Sequence, residues 1–316
     1  MGWPAKIDHL MTLPEHIRVL ERGWLSSNNI VFLDPDCPTV IDTGYGTHAD
    51  QTVALVQDAL QGRALKRILN THLHSDHAGG NAALQALYAQ AGVQTVIPSG
   101  LTDAVAAWDQ DKLSYASTGQ SCPRFRYDSV MQPGDAVEIG GDTWTVLSAA
   151  GHDNDMVMLW CERLGILISA DALWQNGFGV IFPEIVGESG FAEQQATLDT
   201  IAQLAPRVVI PGHGAPFTDV QTALTAAQSR IKWLASDPKR NADNAIKALL
   251  AFKLLAAQTM TVQDIADLFR TSAITHKVIS AYYPIDPEAM AHFAAEQMVR
   301  LGVAQREGDV LTSRMG

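Results

Sequence analysis

The 316-residue chain has little cysteine and no long apolar run. Its three cysteines, Cys37, Cys122 and Cys161, lie far apart and form no C-x-x-C pair, so neither a zinc knuckle nor a disulfide framework is indicated. No stretch approaches the roughly 18–20 continuous apolar residues of a membrane span, and the first residues lack the apolar core of a signal peptide. We therefore expect a cytoplasmic protein with free thiols and no membrane partner.

Charge is scarce and unevenly distributed. Charged residues make up 18% of the chain and hydrophobic residues 47%, which favours a folded chain with a substantial core over a disordered one. Residues 1–227 hold 11 Lys and Arg against 25 Asp and Glu, a net charge of −14, whereas residues 228–316 hold 11 against 9, a net charge of +2. The acidic part should repel polyanions and attract cations.

Apolar periodicity predicts most of the secondary structure. Apolar runs at 30–33, 39–41 and 66–71 predict strands, and apolar residues at helical spacing over 49–61 and 79–91 predict helices. Further along, the same patterns predict strands 93–97, 135–148, 156–161, 165–170 and 207–210 and helices 99–109, 191–204 and 217–235. Strands that partly alternate with helices and partly follow one another predict an α+β fold with mixed sheets covered by helices.

A polar segment at 236–241, which contains Pro238, predicts a domain boundary. The chain then divides into a domain over residues 1–235 and a smaller one over residues 236–316. In the smaller domain three helices are predicted, at 242–257, 261–270 and 287–301, and a β-hairpin is predicted around 307–309. Helices followed by a hairpin indicate a small helical, winged-helix-like module.

Three histidines and one aspartate lie within six residues, in the segment THLHSDHAGG of residues 71–80. On an extended segment, His72 and His74 point the same way and can bind one metal ion. At a strand-to-helix turn, Asp76 and His77 can converge on a second ion, and Gly79–Gly80 would let the backbone turn sharply. The carboxylate widens the choice of metal beyond zinc. A histidine cluster on a solvated loop is the alternative, but the chain has only 10 histidines.

The run His-x-His-x-Asp-His after a strand resembles the metallo-β-lactamase superfamily. The other positions of that signature also occur in the expected order, each after an apolar strand: Asp42 precedes this run, and His152, Asp171 and His213 follow it. The resemblance covers about residues 15–230 and implies a four-layer αββα sandwich. As a set, these motifs are specific for the fold and the metal site but say little about the substrate.

The resemblance implies two divalent metal ions, which we expect to be zinc, with iron or manganese as alternatives. One ion would be held by His72, His74 and His152, the other by Asp76, His77 and His213, and Asp171 would bridge the two. Two such ions roughly 3.5–4 Å apart can share a hydroxide that attacks a carbonyl or phosphoryl centre. Two aspartates are candidate catalytic residues: Asp76 as a proton acceptor, and Asp42 as the residue that orients the ligand loop without touching metal.

The segment after His152 departs from the family pattern. Many relatives continue with Thr-Pro-Gly, whereas this chain has Asp153-Asn154-Asp155. The histidine itself is retained, so the ligand set is not affected. We expect a more acidic loop with different hydrogen bonds behind the ligand.

Candidate substrate contacts lie in two irregular segments. Arg124 and Arg126, in the stretch 112–128, could bind a substrate carboxylate, with a solvated loop as the alternative. A Gly-rich loop after Asp171 carries four residues that could line a pocket or equally fill a core: Trp174, Asn176, Phe178 and Phe182. Tyr282 and Tyr283 are interpreted as packing residues. No metal role is predicted for the remaining histidines, which are His9, His16, His48, His276 and His292.

The predicted function is hydrolysis of a small ester, thioester or lactone by a binuclear metal site. Asp76 together with a bridging Asp171 resembles the hydroxyacylglutathione hydrolase and lactonase branches. A metal-dependent ribonuclease or phosphodiesterase is one alternative, because the C-terminal part resembles that of a ribonuclease branch, but the charge of −14 opposes it. A ligand-binding sensor on the same fold is the other alternative. A true β-lactamase fits less well, since no export signal is seen and the best-known branch has cysteine where Asp171 stands.

The expected partners follow from this prediction. A small ester-type molecule is the expected substrate, and nucleic acid is not an expected partner. A homodimer is one possible assembly.

Overall fold

A computed structural model describes residues 13–315 of the chain. The strands are β1 Ile17–Leu20, β2 Asn29–Phe32, β3 Thr39–Ile41, β4 Arg67–Leu69, β5 Gln94–Pro98, β6 Ser129–Met131, β7 Ala136–Ile139, β8 Asp142–Ser148, β9 Val157–Cys161, β10 Ile166–Ala170, β11 Val208–Pro211, β12 Thr259–Thr261, β13 Ala304–Glu307 and β14 Val310–Ser313. The helices are α1 Ala49–Leu60, α2 Ser75–Ala78, α3 Asn81–Leu87, α4 Thr102–Ala107, α5 Tyr115–Thr118, α6 Phe182–Val186, α7 Phe191–Leu204, α8 Val220–Ala235, α9 Lys239–Ala257, α10 Val262–Thr271, α11 Ala273–Tyr282 and α12 Pro287–Arg300.

The strands form two large mixed sheets and one small sheet. The first large sheet has the order β1-β2-β3-β4-β5-β6, in which β3 to β6 run parallel to one another and the β1–β2 and β2–β3 pairs are antiparallel. In the second the order is β11-β10-β9-β8-β7, which is antiparallel except for the β10–β11 pair. Helical crossovers such as α1, between β3 and β4, connect parallel neighbours, as parallel pairing requires.

Alternate residues of the central strands face two different cores. In the first sheet, Phe32, Ile41 and Leu69 pack against residues of the second sheet such as Trp144. Residues that point the other way, Val31, Val40 and Ile68 among them, pack against α1 and α3. On the far side, Leu167 and Val209 of the second sheet pack against α7 and α8. Strands buried on both faces explain the apolar runs in the sequence, and the predicted αββα sandwich is confirmed.

The C-terminal helices α9 to α12 share a separate apolar core with the small sheet β12-β14-β13. Val180 and, in α6, Ile185 belong to this core, so the C-terminal part packs on the segment that follows Asp171. The predicted boundary at 235/236 falls between α8 and α9, and it stays a prediction.

Sequence patterns missed α11. It is buried through β-branched residues such as Ile274, Val278 and Ile279, which are weak helix formers. The helix forms because Ser272 caps its first turn by accepting a hydrogen bond from the Thr275 N–H and because its apolar face packs into the C-terminal core. The edge strands β1 and β6, which are three or four residues long, were missed as well. Within the part of the chain that is described, no helix combines the length with the apolarity that spanning a bilayer requires.

Candidate metal centre

The predicted ligands lie where strands of both sheets end on one side of the sandwich. Asp42 follows β3, His72 and His74 follow β4, and the short helix α2 carries Asp76 and His77. From the second sheet, the ends of β8, β10 and β11 lead to His152, Asp171 and His213. Because rigid strands fix these positions from both sheets, the side chains converge at the carboxyl edge of the sandwich.

The first group consists of His72, His74 and His152. The Nδ1 atom of His74 lies 3.2 Å from His72 Nε2 and 2.8 Å from His152 Nε2, so three imidazole nitrogens face one point. His152 Nδ1 donates to the carbonyl of Val180 at 2.5 Å, and His72 Nδ1 lies 3.2 Å from the hydroxyl of Thr71. These outer contacts fix the ring orientations and leave the inner nitrogens to accept a cation.

The second group consists of Asp76, His77, Asp171 and His213, all of them buried. His213 Nε2 lies 3.1 Å from Asp76 Oδ2, and His77 Nε2 lies 3.5 Å from Asp171 Oδ1. The other carboxylate oxygen of Asp171, Oδ2, lies 3.5 Å from His152 Nε2, a member of the first group. Asp171 therefore lies between the two groups, as a bridging ligand would.

Asp42 stands behind His77 and does not face the shared centre. Its carboxylate accepts from His77 Nδ1 at 2.8 Å, from the Thr71 N–H at 2.9 Å and from the Thr71 hydroxyl at 2.8 Å. The first of these bonds places the proton of His77 on Nδ1, so the lone pair of Nε2 points inward. Asp42 adopts the left-handed region with φ 56°, and Ala170, just before Asp171, does so with φ 48°. Such strained positions are concentrated at functional sites.

One buried atom indicates that the cluster is built for cations. His77 Nε2 has no hydrogen-bond partner among the described residues, although a buried polar atom normally has one. It faces the carboxylates of Asp171 and Asp76, at 3.5 and 3.7 Å. Imidazole nitrogens and carboxylate oxygens in these numbers suit divalent metals such as zinc. The residues present therefore fit a pair of divalent cations.

The protonation equilibria of the metal-free cluster agree with its charges. Burial lowers the pKa of His72 well below its ordinary value and brings the pKa values of His74 and His152 to about 4. Burial also disfavours the charged form of His77, but the carboxylates of Asp171, Asp42 and Asp76 outweigh it and hold that pKa well above 6.5. The first group is thus neutral at physiological pH, which is the form that binds metal.

Glycine is required around the centre by close packing. A Cβ on Gly212 would lie 2.2 Å from Asp171 Oδ1, and a Cβ on Gly79 would lie 2.3 Å from the backbone N of Gly46. The expected reason for Gly79–Gly80 was a sharp turn, and it is wrong, because both residues have ordinary negative φ values of −64° and −87°. Because they lack a side chain, the backbone at residues 79–80 can touch the loop at residues 43–46.

The departure at Asp153 has a structural consequence. Asp153 Oδ2 lies 3.4 Å from His74 Nε2, the ring nitrogen that faces away from the first group. Asp153 Oδ1 accepts from the Asp155 N–H at 2.7 Å, which orients the carboxylate. Burial raises the pKa of Asp153. The acidic loop therefore supplies a carboxylate behind His74, as Asp42 does behind His77.

Aromatic side chains surround the centre. Trp24 and Trp174 lie edge-on to His213, with ring centroids 5.5 and 5.3 Å away, and Trp174 Nε1 donates to Asp171 Oδ1 at 3.2 Å. Phe252 of α9 lies 5.7 Å from Trp24, and Phe182 packs against the rings of His74 and His152. Sequence reasoning missed Trp24 and Phe252, because a lone aromatic in a loop and one in a distant helix carry no local signal.

The predicted substrate contacts divide into two sets. Trp174, Asn176 and Phe178 line a cleft that opens from the centre, although Phe178 is itself buried. Arg124 and Arg126 are exposed, and they are not among the residues that line the clefts at the centre. Arg124 Nη2 donates to the carbonyl of Ala106 at 3.1 Å. The structure therefore does not bring these two arginines to the centre, and we do not propose them as substrate contacts.

The other histidines and the tyrosine pair lie away from the centre. His276 and His292 are exposed, His48 contacts Ser26, and His16 faces Asp142 at 3.9 Å. His9 lies outside the described residues. Tyr283 packs on Lys239 and hydrogen bonds to Asp243, while its neighbour Tyr282 is exposed.

Known proteins resemble the part of the chain that holds these ligands. The family model described as metallo-beta-lactamase superfamily matches residues 22–213. A hydroxyacylglutathione hydrolase of Erythrobacter litoralis is 30% identical over 160 residues, which cover 49% of this chain and 53% of that protein. An acyl-coenzyme A thioesterase of Homo sapiens is 24% identical over 193 residues, covering 55% of this chain and 68% of that protein. The chain spans about half the length of several of the curated relatives it matches.

Solved structures share the fold over nearly the whole chain. A beta-lactamase domain protein from Burkholderia ambifaria has a TM-score of 0.60 and 22% sequence identity, and the match covers 96% of this chain and 94% of that one. The coverage includes the C-terminal helices as well as the sandwich. At this identity the likeness concerns the fold alone.

Proposed function

The chain belongs to the metallo-beta-lactamase superfamily, and from that membership we propose that it is a metal-dependent hydrolase of small acyl thioesters. The observation that carries the proposal is the pair of ligand groups joined by Asp171, with the inward-facing His77 Nε2 left without a partner. Zinc is the proposed metal, since three imidazoles in one group suit it. Esters and lactones, which react by the same attack on a carbonyl carbon, are the next candidates.

Each residue has a proposed part in the reaction. His72, His74 and His152 would hold one cation, Asp76, His77 and His213 the other, and Asp171 both. When bound, the two cations would supply Lewis acidity and would make water nucleophilic near neutral pH. Asp42 and Trp174 are positioning residues, because Asp42 fixes the tautomer of His77 and Trp174 donates to Asp171. Asp76 lines the chamber above the centre, where its carboxylate can accept a proton.

Two features support a thioester as the substrate. The chamber above the centre is lined largely by apolar and aromatic side chains, such as Trp24, Phe182, Leu249 and Phe252, which favour an organic acyl group. The names of two relatives also describe thioester cleavage, since an acyl-coenzyme A and a hydroxyacylglutathione are both thioesters. We therefore propose thioesters ahead of esters and lactones as the substrate class.

The two alternative functions, a ribonuclease and a ligand-binding sensor, require different features of the site. A ribonuclease needs a basic groove, but a second opening of the centre is lined by Asp111, Asp153, Asp155 and Glu188. We still propose that the C-terminal helices and small sheet form a winged-helix-like module, but we do not propose nucleic acid as its ligand. A sensor would bind both metals and turn over nothing.

Metal content and activity should be measured together. Purified protein, analysed for bound metal, is offered thioesters, esters, lactones, a β-lactam, bis(p-nitrophenyl) phosphate and single-stranded RNA, before and after removal of metal by a chelator. We expect thioester cleavage that is lost with the metal and restored by zinc. His74→Ala and Asp171→Ala should lose metal and activity together, whereas the exposed His276→Ala serves as the matched control. Cleavage of RNA alone, or two bound metals with no turnover, would reject the proposal.

A further inference from the structure

A cleft of about 600 Å³ leads away from the metal centre, between the α8 side of the sandwich and the C-terminal helices. It shares Trp24, Trp174 and His213 with the chamber above the centre, so the two spaces adjoin at these side chains. Its volume lies within the range of roughly 300–1,000 Å³ that small-molecule sites occupy. A substrate whose reacting carbonyl lies over the metals can therefore extend into this cleft.

The wall of the cleft combines apolar surface with positive charge. Phe178, Ala251, Met298, Leu301 and Val303 supply apolar surface. Among the described residues, the charged side chains that line it are Arg230 of α8 and Lys247 of α9, and none of the described lining residues carries a carboxylate. The catalytic part of the chain is acidic overall, so an opening whose charged side chains are all positive is a local exception.

Arg230 has no counter-charge. It is half-buried, its guanidinium lies 4.9 Å from the centre of the Phe178 ring, and burial lowers its pKa. Within residues 13–315 its guanidinium makes no ion pair and no hydrogen bond, although this group has five N–H donors. A charge removed from water normally has a partner, because desolvation is costly. The missing partner can be supplied by a ligand.

The opposite opening of the centre has the reverse charge. It contains Asp111, Asp153, Asp155 and Glu188 against one Lys112. A negatively charged group is therefore repelled on that side and attracted on the Arg230 side. The two openings give an anionic substrate a single favourable orientation across the metals.

We propose that Arg230 and Lys247 bind a carboxylate or phosphate carried by the thiol half of the thioester, while the apolar wall of the cleft holds the intervening chain. This inference rests on the proposed thioesterase function and names its substrate class. Arg230 is the main contact, because its charge is half-buried and held against Phe178, whereas Lys247 is exposed and its attraction is screened by water.

Matched substrates test whether the site binds an anion on the thiol half and whether that anion is a phosphate or a carboxylate. One pair is an S-acyl-pantetheine and the same acyl group on 4′-phosphopantetheine, which adds a phosphate. A second pair is the S-acyl thioester of 3-mercaptopropionate and that of its neutral amide, which differ by one carboxylate. We expect kcat/KM to be roughly tenfold or more higher for the anionic member of at least one pair, mainly through KM, and the pair that responds identifies the anion.

Variants locate the effect. Arg230→Gln should remove the preference for the anionic member of the pair, and Arg230→Lys should keep part of that preference. Lys232→Gln removes the same charge from an exposed position of the same helix and should change nothing. The melting temperature of Arg230→Gln should not fall, because the substitution removes a half-buried charge that has no counter-ion to stabilise it. An equal kcat/KM for charged and neutral members, or a preference that survives Arg230→Gln, would overturn the inference.

Binding separates this inference from the proposed function. Calorimetry compares 4′-phosphopantetheine with pantetheine, and 3-mercaptopropionate with its amide, on wild type and Arg230→Gln without a turnover step. Tighter binding of the anion to wild type alone supports the subsite even if no thioester is cleaved, in which case only the proposed function fails. Cleavage of neutral and anionic thioesters at the same rate, with no difference in binding, removes the subsite and leaves the hydrolase.

Discussion

Asp42→Asn tests whether the carboxylate behind His77 prepares the second cation group. Asp42 accepts three hydrogen bonds, from His77 Nδ1 and from both the N–H and the hydroxyl of Thr71. Asparagine has nearly the same shape and tolerates the left-handed backbone at this position, where φ is 56°. The substitution therefore changes the hydrogen-bonding groups and leaves the fold largely as it is.

Neither orientation of the new amide satisfies all three partners. If its oxygen accepts from the Thr71 N–H, its NH2 group faces His77 Nδ1, which must then give up its proton. The proton moves to Nε2 and occupies the direction in which a cation would bind. If the amide is flipped, its NH2 group meets the Thr71 N–H and leaves a buried donor unsatisfied, which costs about 1–3 kcal/mol.

Loss of such an outer partner lowers metal affinity by roughly 10–100-fold, which corresponds to about 1.4–2.8 kcal/mol. The assay is a competition titration with a chromophoric chelator, in which the two cations are expected to leave in separate steps. The step assigned to His77, Asp76 and His213 should weaken, and the other should stay near its original value. The matched control is Asp58→Asn, on the exposed face of α1. Two steps of unchanged affinity in Asp42→Asn would refute the reasoning.

Three further substitutions probe the centre and the C-terminal part. Asp153→Asn weakens the acceptor 3.4 Å from His74 Nε2 and should lower the affinity of the first cation group roughly tenfold in the same titration; an unchanged affinity would leave Asp153 without a role. Gly212→Ala places a methyl group 2.2 Å from Asp171 Oδ1, so hydrolytic activity should fall sharply and urea unfolding should show a loss of about 1–3 kcal/mol. Full activity would contradict this packing. Asp264→Ala removes half of the capping box with Thr261 at the start of α10 and should cost about 0.5–2 kcal/mol at pH 7. Hydrogen bonds from Thr261 lower the pKa of Asp264. The contribution of Asp264 to stability is therefore present above its unfolded pKa of about 3.9 and is lost as the pH falls through its lower folded pKa. Wild type and Asp264→Ala should converge in stability near pH 3, and a constant difference would contradict the assignment.

Four of the seven candidate ligands were predictable from local information, and the resemblance to the family implied the other three. His72, His74, Asp76 and His77 lie in six residues, and each later ligand follows an apolar strand that periodicity alone identifies. The order of these positions along the chain carried the resemblance to the family, and the family model matches residues 22–213. The irregular loops carried less information. Arg124 and Arg126 have suitable charge for a substrate site, but the chain places them on its outer surface.

The sequence by itself determined an α+β chain with mixed sheets and the run of candidate ligands at 72–77, because periodicity and spacing are short-range properties of a chain. The sandwich and the three later candidate ligands were implied by the resemblance to the family. Only the tertiary structure decided which atom of each residue faces inward, that Asp153 stands behind His74, and that Trp24 meets Phe252 at the mouth of the centre. It also brought Arg230 into a cleft with Lys247 and without a carboxylate. These relations join residues from separate elements, and they depend on how whole layers pack, which no local pattern encodes.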